Sequence, residues 1–237
     1  MLTTTAKDGG ETESGALHAA ILHLRRGLRA DGSYESVNEG EIAGHQWRTL
    51  ESWAGPQGLI LPDGVAPEKE GGREHDVFFD PENARWIKFT KPWEAGFIVH
   101  VIEGALVMSL ATPLEYLERW RTHNSIFDDD VEFLGIKHDG KASRLVISQR
   151  HVPGEDATWE EIEHSFVDHA GMQRLPIEND LGGYESRAYF LGRVAVFDVR
   201  PRNCVFIAET NTIAAIDVIP RYLSQQDAAI LKSMTGI

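Results

Sequence analysis

Cysteine is nearly missing from this 237-residue chain, in which Cys204 stands alone. One thiol can neither close an internal disulfide nor complete a CxxC pair, so a disulfide-stapled scaffold is excluded and a reducing, cytoplasmic setting is expected. Positive charge is also scarce. Twenty-three Lys and Arg face 37 Asp and Glu, and the formal net charge of −14 opposes broad binding to nucleic acid or anionic lipid. Long apolar runs are lacking as well: the most apolar stretch, GFIVHVIEGALVMSLA over 96–111, is interrupted by His100 and Glu103 and is too short to cross a bilayer as one helix. It reads as two short strands. The amino-terminal MLTTTAKDGGETESG has neither the basic flank nor the apolar stretch of a secretory signal, and reads as a solvated tail. No segment repeats at the period of a solenoid or propeller.

Several catalytic signatures are missing too. The ten histidines form no HExxH, and no GxSxG is present. Cys204 lies in an apolar segment without a paired histidine signal. Asp128–Asp130 lacks the spaced glycine and terminal glutamate of a calcium loop. The ExxH at Glu161–His164 has no second copy to complete a di-iron bundle, and reads as a solvated helix face.

What is present is a folded domain's composition, 42% hydrophobic and 25% charged. Leu17, Ile21, Leu24 and Leu28 recur at helical spacing within a helix over 16–29, and a second helix is expected over 41–53 with Trp47, Leu50 and Trp53 on adjoining faces. Both are expected to pack on the main domain. Pro and Gly punctuate 55–72, leaving one short strand at 59–61. HDVFFD (75–80) and RWIKFT (85–90), separated by turn-forming PENA, signal a hairpin. Thr112-Pro113-Leu114-Glu115 combines an N-cap, proline at the first helical position and a capping-box glutamate, opening a helix to about residue 124. Strands VEFLGIKHD and RLVISQRHV follow, then a helix over ATWEEIEHSFVDHA. Three apolar segments, VAVFDV, NCVFIAE and TIAAIDVI, precede a helix at 225–234. The order predicts an α+β fold.

The chemistry concentrates in FDVRPRNCVFIAETNTIAAIDVIP, residues 197–220. Asp198 and Asn203 lie on one loop, with Arg200 and Pro201 between them, and Asp217 lies beyond the next hairpin. Two carboxylates and an amide offer hard oxygen ligands of the kind Mg²⁺ takes together with phosphate. By composition alone, an Asp, basic residue, Pro and Asn at these offsets should arise in roughly a few per thousand chains of this length.

DVRPRN resembles the catalytic loop of protein kinases and kinase-like phosphotransferases, and IDVI takes the place of their strand that ends in the metal aspartate. Upstream, GGREHDVFFD, KFTKP, TPLEYLERW and ISQ follow in the matching order. Together these segments resemble the serine/threonine/tyrosine kinase-like domain found in polyvalent proteins of phages and conjugative elements, over about 53–220. The resemblance implies a compact two-lobed fold: an N-terminal tail and helical extension (1–54), an N-lobe (55–152) and a reduced C-lobe (153–237). It implies ATP and Mg²⁺ as cofactors. Lys88 would hold the nucleotide phosphates with Glu118 or Glu115 as its partner, Glu118 being favoured because Glu115 caps the helix. Gly71 and Gly72 would cover the phosphates, the backbone at Gln149, Arg150 and His151 would bind adenine, and Asn203 and Asp217 would hold the metal. Asp198 would take the acceptor's proton, and Arg200 would neutralise the transferred phosphoryl group.

Several features depart from that family. The full GxGxxG is missing, Val196 replaces the usual histidine, and Val218-Ile219 replaces Phe-Gly after the metal aspartate. The stretch after Asp217 is too short for the helical subdomain that holds peptide substrates, so a minimal C-lobe is expected. Three functions stay open. The leading expectation is transfer of the γ-phosphoryl group to a hydroxyl acceptor, with protein Ser, Thr or Tyr among the candidates. A catalytically silent nucleotide- or partner-binding module and a small-molecule kinase of the antibiotic-kinase type are the other two. By default Lys88 would be a solvent-facing strand residue, Glu115 and Glu118 helix-surface residues, and Asp198–Asn203 a polar turn.

Overall fold

Helices α1 (Ala16–Asp31) and α2 (Glu39–Ala54) turn their apolar stripes inward, burying Leu17, Ile21 and Leu24 from the first and Trp47, Leu50 and Ala54 from the second. The computed structural model describes residues 15–31, 39–67, 72–140, 142–176 and 185–235. The two helices pack on each other and on α3 (Pro113–Phe127) and β5 (Glu132–Asp139), as the helical spacing predicts. One apolar cluster runs from Leu17 through Trp120, Ile136 and Phe197 to Leu231, so all three expected sequence segments contribute to it. A second cluster, around Phe166, Tyr189, Val196, Cys204 and Val218, belongs to the later half.

The first sheet has the order β1-β2-β6-β5 and is antiparallel throughout. Its strands are β1 (His75–Asp80), β2 (Arg85–Thr90), β5 and β6 (Ala142–Arg150). The β1–β2 hairpin forms as expected, with the Asp80 carboxylate accepting from the backbone amides of Glu82 and Asn83 in the turn. Lys88 therefore sits on an inner strand, between Val77 and Ile147. The expected strand at 59–61 is reduced to a parallel bridge, Ile60 to Ile136. It lies so close to Gly135 (φ +134°) that a Cβ there would collide with the Leu59 carbonyl.

A separate hairpin, β3 (Phe97–Ile102) and β4 (Ala105–Leu110), turns at Glu103 and Gly104, both at positive φ. Helix α3 begins at its reciprocal capping box: the Glu115 amide donates to Thr112 Oγ1 and the Thr112 amide donates to the Glu115 carboxylate.

The later half holds two further sheets. One has the order β13-β10-β9-β8, from β8 (Gln173–Arg174), β9 (Arg187–Leu191), β10 (Val194–Val199) and β13 (Ile219–Tyr222). The other has the order β12-β11-β7, from β7 (Glu155–Asp156), β11 (Cys204–Ile207) and β12 (Thr212–Ala215). Two expectations are corrected. The helix over 157–170 is α-helical only as α4 (Trp159–Glu163) and continues as a π-helix over His164–His169. TIAAIDVI is not one strand: β12 stops at Ala215, and the chain bends through 216–218 and joins β10 as β13. Helix α5 (Gln225–Met234) closes the chain on a Ser224 cap. The architecture is α+β, and among the described residues no helix is long and apolar enough to cross a membrane.

Candidate functional site

Lys88 and Asp217, 129 positions apart, meet in the interior. The Lys88 ammonium donates to the Ile216 carbonyl at 3.0 Å, lies 3.4 Å from Asp217 Oδ1 and stands over the Trp120 ring, 5.1 Å from its centroid. Burial of a cation demands such partners, and Lys88 is only 8% exposed. Burial alone would raise the Asp217 carboxyl, but the combined attraction of its neighbours, Lys88 first and Arg119 among the others, outweighs it and holds the group well below the ordinary carboxylate range. About a third of the Asp217 side chain, 34%, still faces solvent.

Asp198 sits where β10 bulges between Val196 and Val199, at φ 52°, a left-handed conformation that costs a non-glycine residue about 1–2 kcal/mol. Its partners are local. Asn203, buried at the end of a 3₁₀ turn over Pro201–Asn203, donates from Nδ2 to the Asp198 carbonyl at 2.8 Å and to its carboxylate at 2.9 Å. Arg200 approaches the same carboxylate at 3.7 Å. Burial pushes the Asp198 carboxyl up to about 6, against the pull of Arg200, with Asp217 adding to the push. The Asn203 carbonyl in turn accepts from the amides of Ile216, at 2.9 Å, and Asp217, at 3.4 Å. One buried asparagine thereby connects the Asp198 bulge to the Asp217 bend.

The residues around this pair that spacing did not reveal are Glu74, His75, Tyr116 and Arg119. Arg119 is fully buried on α3. Its Nη1 donates to Glu74 and to the Phe97 carbonyl at 3.2 Å, and its Nε donates to the Val218 carbonyl at 3.3 Å. Burial works against its charge, but Glu74 and Asp217 more than offset it. His75 is buried against the Tyr116 hydroxyl at 2.9 Å, and burial lowers its pKa so that it stays neutral. Glu74, His75 and Asp217 each offer a ligand atom within 4.8 Å of the others. His75 meets Asp217 through Nδ1 and Glu74 through Nε2, opposite sides of one ring, and Lys88 and Arg119 already balance both carboxylates. The two carboxylates of the trio are thus each paired with a buried cation, with the neutral His75 ring between them.

Other expected site residues lie elsewhere. Glu118 is correctly assigned to α3 but not to the lysine: it accepts from Arg25 of α1, at 2.7 Å from Nε and 2.6 Å from Nη2. Glu115 is occupied by its cap and lies 3.8 Å from His100. The single-residue shift matters because adjacent helical side chains point about 100° apart, so Arg119 faces the interior and Glu118 faces α1. Gly71 lies outside the described residues; Gly72 is exposed just before β1. The Gln149 carboxamide is buried and donates to Asp129 at 2.6 Å. The His151 amide, expected to meet adenine, donates to the Ala84 carbonyl at 2.8 Å, while its ring accepts from the Trp86 indole. Arg150 and His151 line a cavity of about 330 Å³ with Asp129, Phe166 and Ala215, but Lys88, Asp198, Asn203 and Asp217 do not.

Cys204 is buried in β11, and burial pushes its thiol up to about 12. A thiol-specific reagent is expected to leave the native protein unmodified and to label one equivalent in denaturant; rapid native labelling would contradict that burial.

No protein-family model matches the chain, and neither does any curated protein or solved structure.

Proposed function

We propose that this protein is a kinase-like phosphotransferase that moves the γ-phosphoryl group of ATP to a hydroxyl acceptor, on a two-lobed arrangement with a reduced C-terminal part. The observation that carries this reading is the meeting of Lys88, on an inner strand of the first sheet, with Asp217, itself tied through the Asn203 carbonyl to the strained Asp198 bulge. Four residue types that phosphoryl transfer requires are connected by direct contacts although they are separated in sequence.

The donor set suits Mg²⁺. Nδ2 of Asn203 is committed to Asp198, which leaves its oxygen as the ligand atom, and Asp217 supplies a carboxylate with a solvent-facing portion. When bound, Mg²⁺ would neutralise charge on the phosphates. Lys88 would hold the phosphate oxygens of bound nucleotide in place of its contacts with the Ile216 carbonyl and the Asp217 carboxylate. Asp198 accepts the proton of the attacking hydroxyl, and Arg200 beside it compensates negative charge. The acceptor class extends from protein Ser, Thr or Tyr to small hydroxyl compounds.

A thermal-shift titration with ATP, with and without Mg²⁺, tests the assignment directly. Ligand at about a hundredfold its Kd should stabilise the fold by about 2.7 kcal/mol, seen as a rise in Tm of several degrees that requires Mg²⁺. Radiolabel transfer to a peptide or small-hydroxyl acceptor should follow. Mg²⁺-dependent stabilisation without transfer would identify a silent nucleotide-binding module, and no stabilisation would overturn both readings.

A further inference from the structure

The segment that carries Asp217 is pinned on three sides. Its amide and that of Ile216 donate to the Asn203 carbonyl. Ile219 enters β13 opposite Phe197 of β10. Between these anchors the Val218 carbonyl accepts from Nε of Arg119 on α3. The same guanidinium holds Glu74, immediately before β1, and the Phe97 carbonyl at the start of β3. One planar group thus gathers four parts of the chain: α3, the entry to β1, the entry to β3 and the Asp217 bend.

Its remaining donor is uncommitted. Arg119 Nη2 is buried without a hydrogen-bond partner among the described residues, and it lies 3.8 Å from Asp217 Oδ1. A buried donor left unmade is costly, and aiming it at a carboxylate reduces that cost without completing the bond. Asp217 currently has Lys88 as its nearer cation, at 3.4 Å. Withdrawal of Lys88 toward another anion would leave Asp217 with Arg119 as its buried counter-charge.

We propose that Arg119 is the positioning residue for Asp217: it fixes the 216–219 bend through the Val218 carbonyl and keeps the carboxylate aimed when Lys88 is engaged elsewhere. This inference rests on the phosphotransferase reading. It adds to it a residue that touches neither metal nor nucleotide, and it accounts for Val218-Ile219 following the aspartate. A backbone carbonyl held by an arginine does not depend on the identity of the side chain at that position.

The decisive comparison uses three proteins: wild type, Glu74→Gln, and the double variant Glu74→Gln/Arg119→Gln. Glu74→Gln keeps an acceptor oxygen for Nη1 and leaves Arg119 beside Val218 and Asp217. The double variant removes the guanidinium without stranding a buried carboxylate. Backbone hydrogen exchange over 216–219 in the ligand-free protein should accelerate at least tenfold in the double variant, and that segment should stay protected in Glu74→Gln. In steady-state assays the double variant should need at least tenfold more Mg²⁺ for half-maximal transfer, with the KM for ATP changed less than threefold. A general structural role for Arg119 would instead loosen both variants alike and leave the Mg²⁺ requirement in place, which would overturn the proposal. If the double variant does not fold, Arg119→Lys keeps the charge but cannot reach Glu74 and Val218 together, and should show the same local acceleration. Wild-type protein without Mg²⁺-dependent transfer would remove the phosphotransferase reading and this inference with it. Active wild type with an unchanged double variant would remove the inference alone.

Discussion

Replacement of Asp198 by asparagine is expected to slow phosphoryl transfer by about 10²- to 10⁴-fold, the range a positioned general base contributes, while Mg²⁺-dependent ATP binding persists. The carboxylate is the only part of Asp198 that the substitution alters, and the amide fits the same bulge because Asn tolerates the left-handed conformation at φ 52°. Single-turnover measurements with bound radiolabelled ATP separate the two effects, and an unaltered rate would end the assignment of Asp198 as base. The wild-type rate carries a related signature. Burial raises the Asp198 carboxyl to about 6, so the ionised, proton-accepting form gains population as pH rises through that value, and transfer should rise with it. Stability moves in the opposite sense. Between the ordinary carboxylate pKa and about 6 the folded protein holds a proton that the unfolded chain has released, so this group's contribution to stability declines as pH increases across that window. The Asp198→Asn variant should lose this portion of the pH dependence in urea titrations.

Truncation of Glu74 to alanine, which removes both its charge and the acceptor oxygen that Arg119 uses, is expected to be the most destabilising single change around the site. In Glu74→Ala the Arg119 guanidinium, fully buried, loses its closest anion and keeps only carbonyl partners and the more distant Asp217. Breaking a buried ion pair from one side typically costs about 3–5 kcal/mol, because the remaining charge is left without compensation. Urea denaturation should show this as a lower midpoint at unchanged slope. Glu74→Leu/Arg119→Met, which removes both charges at similar volume, should recover most of the loss, since apolar replacement of a complete buried pair is often neutral. If Glu74→Ala were no less stable than wild type, the pair would not be the structural anchor described above.

The two experiments probe parts of the site that differed sharply in how visible they were beforehand. Asp198, Arg200 and Asn203 fall within six consecutive residues, and local geometry keeps them together: a bulge, a proline at the start of a 3₁₀ turn, and an amide reaching back five positions. The α3 start was equally legible, because its capping box is completed within four residues. Arg119 was hidden for the opposite reason. A charged residue within a polar-looking helix would ordinarily face solvent, and its burial makes sense only with Glu74, 45 positions earlier, on the far side of the interior. Glu118, its neighbour in sequence, was the natural candidate from composition but turns toward Arg25. The partner of the His151 amide was hidden on similar grounds: it donates to the carbonyl of Ala84, in the turn between β1 and β2.

Sequence alone, then, determined the α+β class, the hairpins, the capped central helix and the polar loop at 198–203, because each depends on interactions a few residues long. Only the tertiary structure decided which cation accompanies Asp217, which carboxylate neutralises Arg119 and where the 212–219 segment breaks. Those outcomes depend on which buried charges find partners at close range, and desolvation makes that choice between groups far apart along the chain.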